Sequence, residues 1–188
     1  INYSLIPIDI IQLSLCNTIS FLTTCLSKSR VKLNTSLHDD FEKLSNTLFD
    51  KIEDVCLLYF MNNDTNRDLL FKCLINLAAE REMRSIYDHF TIRNGKPIRI
   101  LLKIFFNEST LIYLNKICDM NLKNCYQLSM TGIDNLLIDY LYDNRNNKSK
   151  EKTDTILAVF DLVKTISSQS SSLYFVKKFL SSMTPING

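Results

Sequence analysis

Leu111-Ile-Tyr-Leu-Asn-Lys-Ile-Cys-Asp-Met-Asn121-Leu-Lys-Asn-Cys-Tyr-Gln-Leu-Ser-Met-Thr-Gly132-Ile-Asp-Asn-Leu-Leu-Ile-Asp-Tyr-Leu141 is the stretch that decides the fold class. Three short helical patterns follow one another in it with almost no spacer. Leu111, Leu114, Ile117 and Cys118 recur at helical spacing and mark one apolar face. Asn121 offers a side-chain oxygen to open a second helix, whose apolar positions are Cys125, Leu128 and Met130. Gly132 is placed to close that helix, because the left-handed conformation just past a helix end costs a residue without Cβ almost nothing. Ile133, Leu136, Leu137, Tyr140 and Leu141 then begin a third helix. Helices this short are marginal alone and need neighbours to stack on.

Working outward, helical period recurs throughout. The pattern predicts helices over 5–27, with Pro7 in the first turn, and 37–61, opened by a Ser36/Asp39 capping box. Further helices are expected at 67–79, 81–92, 98–106, 153–167 and 173–183. In the 5–27 helix Ile8, Ile11, Leu15, Ile19 and Leu22 form the expected core face. Asn94-Gly95 ends the 81–92 segment, 143–152 is a loop, 167–172 a linker, and 184–188 a disordered tail. Only three Gly and three Pro occur, too few for the turns of an all-β fold. The chain is expected to be all-α.

Composition sets further bounds. With 188 residues, one domain with a real core is expected, and a net charge of +2 singles out no partner. A start at Ile1 without Met suggests a processed or excised chain. The apolar stretch 5–26 is interrupted by Asp9, Gln12 and Asn17, which argues against a membrane span. It also lacks the basic start of a signal peptide. Cys16, Cys25, Cys56, Cys73, Cys118 and Cys125 lie mostly on apolar faces, and none makes a C-x-x-C pair. Reduced, buried thiols in an intracellular protein, nuclear or cytoplasmic, are the expectation. The alternative is a secreted, cytokine-like helical bundle with disulfides, favoured by N-x-S/T triplets at Asn2, Asn34, Asn63, Asn107 and Asn147.

Catalytic chemistry finds little footing. His38 sits in an acidic first turn, and His89 lies beside Asp88 without a nucleophile tied to it by motif. No zinc spacing and no glycine-rich phosphate loop are present in the sequence. No enzyme activity, cofactor or metal is expected. Arg93, Lys96, Arg99 and Lys103 form a candidate basic patch, open to a nucleic-acid backbone or an acidic protein. A nucleic-acid-binding helical repeat is therefore a second alternative.

Self-similarity supplies the remaining signal. Leu74-Ile-Asn-Leu-Ala78 and Leu114-Asn-Lys-Ile-Cys118 lie 40 residues apart, and Val163-Lys-Thr-Ile-Ser167 is a degenerate third copy. Asn94-Gly95 and Thr131-Gly132 each precede an Ile/Leu-rich helix. These residues, with Asn121-x-x-Asn124-Cys125 and Ile133-x-x-Leu136-Leu137, resemble the armadillo repeat family over roughly 66–180. The 81–95 segment is longer than a standard first helix, and the last copy has no corner glycine. The resemblance therefore points to a divergent armadillo/HEAT-like solenoid, an α-α superhelix. Residues 1–63 would form a cap of long helices, and 64–183 about three repeats. It implies a non-enzymatic protein-interaction scaffold that holds a partner segment along its concave face. Some chromosome-associated regulators carry divergent repeats of this kind. The groove positions it implies are Asn76, Lys116 and Thr165, with Lys72, Ile112 and Asp161 one turn earlier.

Overall fold

The computed structural model describes residues 6–28, 35–62, 64–79, 90–119, 121–144 and 149–169. Among these residues all regular structure is helical, in the order α1 (Ile8–Lys28), α2 (Thr35–Phe60), α3 (Arg67–Ala78), α4 (Lys96–Ile104), α5 (Glu108–Asp119), α6 (Leu122–Ser129), α7 (Ile133–Asn144) and α8 (Lys150–Gln169). The chain divides into two compact units. Unit 1 takes Ile1–Asp88 and Lys96–Ile104, and unit 2 takes His89–Gly95 and Phe105–Gly188. Expected features at 81–89, 173–183 and 184–188, with His89 and the side chain of His38, lie outside the described residues.

In unit 1, α4 is the helix the others gather round. Pro97, Ile98, Ile100, Leu101, Leu102 and Ile104 are all buried, so only a narrow stripe reaches water. A helix apolar almost all round must be enclosed, and α2 and α3 both pack on it. Burying each such aliphatic side chain contributes roughly 2 kcal/mol. α1 in turn packs on α3. Arg67, the first residue of α3, donates to the Ile104 carbonyl at 2.7 Å and so caps the last turn of α4.

Several expectations shift in register. The buried positions of α1 are Gln12, Cys16 and Ile19, whereas Ile8 is exposed and Ile11, Leu15 and Leu22 are half-buried. The cause is that α1 is apolar on nearly every side, so spacing alone does not select a face. Gln12, an apparent interruption, donates to the Tyr59 carbonyl at 2.9 Å and is wholly buried. The polar interruptions Asp9, Gln12 and Asn17 do not take the helix below the length and composition of a membrane span. Ile8–Cys25 is long and apolar enough to cross one by length and composition, with mean hydropathy 1.3. Thr18, Thr23 and Thr24 in it each donate to the carbonyl four residues back. Ser36 lies inside α2, which starts at Thr35, so the capping box does not open that helix.

Unit 2 is built on α8, which packs most extensively on α5 and also meets α6 and α7. Its core comprises Leu111, Leu114, Cys118, Cys125, Leu128, Ile133, Leu137, Val159, Leu162, Val163 and Ile166. Asn107 caps α5 by accepting from the Thr110 amide at 3.0 Å, and Asn121 caps α6 by accepting from Lys123 at 3.0 Å. Residues Phe90–Ile92 are not helical, contrary to the 81–92 reading. α7 runs to Asn144 and α8 from Lys150 to Gln169, which shortens the expected loop and turns Ser167–Gln169 from linker into helix. Leu136, Tyr140 and Leu141 are half-buried while Ile138 joins the core, and Tyr140 stacks on Phe106 with centroids 4.4 Å apart.

Gly132 adopts φ 71° between α6 and α7, the left-handed corner that the sequence anticipates. A β-branched residue is strained there. Gly132→Val should lower stability by about 1–2 kcal/mol, read as a drop in the urea midpoint; an unchanged midpoint would remove the corner from the account. Gly95 is not such a corner, since Gly132 is the one positive-φ glycine among the described residues. Its role is close approach. A Cβ on Gly95 would lie 2.4 Å from Thr131 Cγ2 and 2.7 Å from the Gln127 carbonyl oxygen. The two glycines that look equivalent in sequence therefore do different jobs.

Candidate interaction surface

The six groove positions fall on both units. Lys72 and Asn76 stand on α3 of unit 1; Ile112 and Lys116 on α5, and Asp161 and Thr165 on α8, of unit 2. Lys72, Ile112, Lys116 and Asp161 are exposed, and Asn76 and Thr165 are half-buried. All six avoid the fully buried stripe of their helices. Each is a side chain that can change with little effect on folding, the first requirement of a contact residue. On unit 2 the four positions are carried by α5 and α8, the helix pair with the broadest mutual packing.

The basic stripe is built differently. Lys96, Arg99 and Lys103 are the residues left on the outer side of α4, and α2 presents carboxylates to them. Lys96 Nζ is 3.4 Å from Asp50, Arg99 is 4.0 Å from Glu53, and Lys103 is hydrogen-bonded to Glu53. The Glu53 side chain keeps only 19% of its surface exposed, so two cations converge on one partly buried carboxylate. The stripe is thus a seam within unit 1, with much of its charge already matched. Such partly exposed pairs contribute at most about 1 kcal/mol each. Arg93 belongs to unit 2 and is half-buried.

One surface feature escaped the sequence reading. Leu122, Tyr126 and Met130 are 63%, 57% and 68% exposed, although Met130 was expected in the core. Leu122 and Tyr126 stand on α6 and Met130 is its C-cap residue, still in right-handed helical conformation, so their four-residue spacing sets them in a row, each step turning about 40° from the last. Asn124, Cys125 and Leu128 form the buried side opposite. Lys123, also exposed, lies beside the row. The signal in the sequence was two separate apolar rows on one short helix and its C-cap, only one of which a core can use.

Behind that row sits a polar anchor. Asn124 is fully buried and satisfied on both ends of its carboxamide. Its Oδ1 accepts from the Ile92 amide at 2.7 Å, and its Nδ2 donates to the carbonyls of Phe90 at 2.8 Å and Ile117 at 2.7 Å. Asn121 adds a bond from Nδ2 to Thr91 Oγ1 at 3.2 Å. Together they fix the start of α6 against the 90–92 segment and the end of α5, which holds the outer row on a rigid base. His38 and His89 aside, no group of three or more metal-ligating side chains gathers among the described residues. No protein-family model matches the chain, and no curated protein or solved structure does so either.

Proposed function

We propose that this chain is a non-enzymatic protein-interaction module of the divergent armadillo/HEAT-like kind, serving in a multi-protein regulatory complex such as those on chromosomes. Its ligand is a protein segment with apolar anchors and acidic side chains. The observation that carries the reading is the exposed row of Leu122 and Tyr126 on α6 and Met130 at its C-cap, backed by the satisfied Asn124 network. Large apolar side chains cost free energy in water, and an aromatic flanked by aliphatic groups on a rigid helix is the usual make-up of an interface anchor. Lys116 and Lys123 are exposed in the same unit and would attract a partner's carboxylates, which raises association rate and fixes register. The positions implied by the repeat resemblance, Ile112, Lys116, Asp161 and Thr165, extend the contact on unit 2. Lys72 and Asn76 would serve in the same way on unit 1.

The test is a peptide-display library panned against the full chain. Enriched peptides should combine apolar residues with Asp or Glu. Their affinity should fall about tenfold or more with Tyr126→Asp, and by a smaller factor with Lys116→Glu, while far-UV circular dichroism and melting stay unchanged. Peptides whose binding ignores both substitutions but responds to Lys96→Glu and Arg99→Glu would move the site to the α4 stripe. Enrichment of no peptide class would remove the reading.

A further inference from the structure

Gln12, Cys16 and Ile19 face the interior of unit 1, where α1 meets α2 and α3. The opposite side of α1 is built on two rows, each of residues four positions apart. Leu13, Asn17 and Phe21 make one row, and Ile10, Ser14 and Thr18 the other. All six are exposed, and together they line a shallow groove. The rows differ in height. Leu13 and Phe21 stand tall in the first, 46% and 67% exposed, while Ser14 and Thr18 form a low shelf beside them. Side chains four apart are the ridges by which helices interlock, the ridge of one seating in the groove of the other at about −50°. A helix that carries both a tall ridge and a low one is complementary to a second copy of itself.

The arrangement is also symmetric. Ile10 and Phe21, Leu13 and Thr18, and Ser14 and Asn17 are three pairs centred on one point, midway between residues 15 and 16. A twofold axis over that point sets the Leu13/Phe21 ridge of each copy on the Ser14/Thr18 shelf of the other. Small side chains at the centre let the two backbones approach, and the large ones close over the ends. Thr18 Oγ1 already donates to the Ser14 carbonyl at 2.9 Å, so that hydroxyl stays satisfied when covered. Asn17, whose carboxamide both donates and accepts, lies beside the axis, where it can pair with its own symmetry mate.

We propose that this face of α1 docks a second copy of the chain, ridge into groove across a twofold axis. Charge favours that occupant. No charged residue occurs from Ile10 to Ser27. The face therefore lacks both the basic rim that holds a helix on anionic lipid and a cation for an acidic segment. Two identical neutral faces meet without like charges opposed, and a net charge of +2 resists their approach only weakly. Area sets the strength. α1 has 21 residues and is about 30 Å long. A crossed pair of such helices covers less than the roughly 800 Å² per partner of a standard stable interface. The dimer is thus a reversible one that forms as concentration rises. It uses unit 1 alone and does not rest on the α6 row.

Sedimentation equilibrium on the full chain, from micromolar to millimolar concentration, is the test. The expected result is a reversible monomer–dimer equilibrium. Phe21→Asp enters both copies and sets a carboxylate against the partner's shelf, so it should weaken dimerisation by about thirtyfold or more. Ser14→Phe fills the shelf and should act in the same direction. Both positions are exposed, so circular dichroism and melting should stay unchanged, and Tyr126→Asp on unit 2 should leave the dimer intact. Cross-linking reads the position. All six cysteines are free and only Cys25 is exposed. A chain with Cys25→Ser and Ser14→Cys therefore offers one reactive thiol beside the axis, and a short bismaleimide should join two copies. The parent chain, whose Cys25 lies more than two turns from the axis, should not be joined. A chain that stays monomeric throughout overturns the proposal, as does a dimer indifferent to both α1 substitutions or lost with Tyr126→Asp. A monomer that floats with phosphatidylcholine vesicles, and ceases to do so with Phe21→Asp, gives the face to a bilayer and also overturns it. Should either α1 variant unfold, the cross-link decides.

Discussion

Asn124→Leu is expected to destabilise unit 2 by about 4 kcal/mol, because a buried backbone group left without its partner costs about 1–3 kcal/mol and three lose theirs at once. The Ile92 amide, the Phe90 carbonyl and the Ile117 carbonyl all bond to this one side chain. Leucine keeps the branched shape and leaves no cavity, but its two methyls are bulkier than the carboxamide, so some overpacking adds to the lost hydrogen bonds. Urea unfolding followed by circular dichroism measures it, and a change under about 1 kcal/mol would mean that other donors and acceptors can step in. Asn124→Asp sharpens the point. An ionised carboxylate still accepts from Ile92 but cannot donate to either carbonyl, and it sits where water does not reach. The fold therefore favours the protonated acid and raises its pKa above the unfolded value. The native variant then binds the extra proton, so its stability relative to the parent should fall as pH rises from acid to neutral.

Gly95→Ala is the second large effect, and its cause is purely steric. The new Cβ would lie 2.7 Å from the Gln127 carbonyl oxygen, which is main chain and cannot swing away. Overpacking of this kind costs about 1–3 kcal/mol. Thr131→Ser in the same chain removes the Cγ2 methyl that stands at 2.4 Å, so it should recover part of the loss. Recovery should be incomplete, because the Gln127 contact remains. A double variant as stable as the parent would show that the side chain alone had been the obstacle, and that the α6 backbone can yield.

What the sequence discloses here follows the range of the interactions. Asn121 and Gly132 were legible because a cap bond reaches two residues along the chain and a left-handed corner needs only the residue itself. Asn124 was visible as part of a motif, but not as the anchor of unit 2, since Phe90 and Ile92 lie 34 and 32 positions away. Lys96 and Lys103 read as an open basic patch for the same reason: their carboxylate partners are 46 and 50 positions distant. α1 failed differently. An amphipathic helix announces its buried face, whereas one that is apolar on most sides leaves the choice to tertiary packing. There the choice fell on Gln12, Cys16 and Ile19. On α6 a second apolar row was present in the letters, yet a short helix read only for core positions absorbs Met130 into the wrong row.

The Asn124 carboxamide has a consequence for how the 90–92 segment behaves towards other chains. It accepts from Ile92 and donates to Phe90, the pair of main-chain groups that a neighbouring strand would engage on one side of Thr91. Phe90 and Ile92 are buried and Thr91 is half-buried, the alternation of a strand in a sheet. A true strand partner would carry further amides beyond the paired ones and so invite another strand to continue the ladder. A side chain brings one amide and then stops. Asn124 thus occupies, on that side of the segment, the amide and the carbonyl that an added strand would need, and offers no further backbone of its own to extend from.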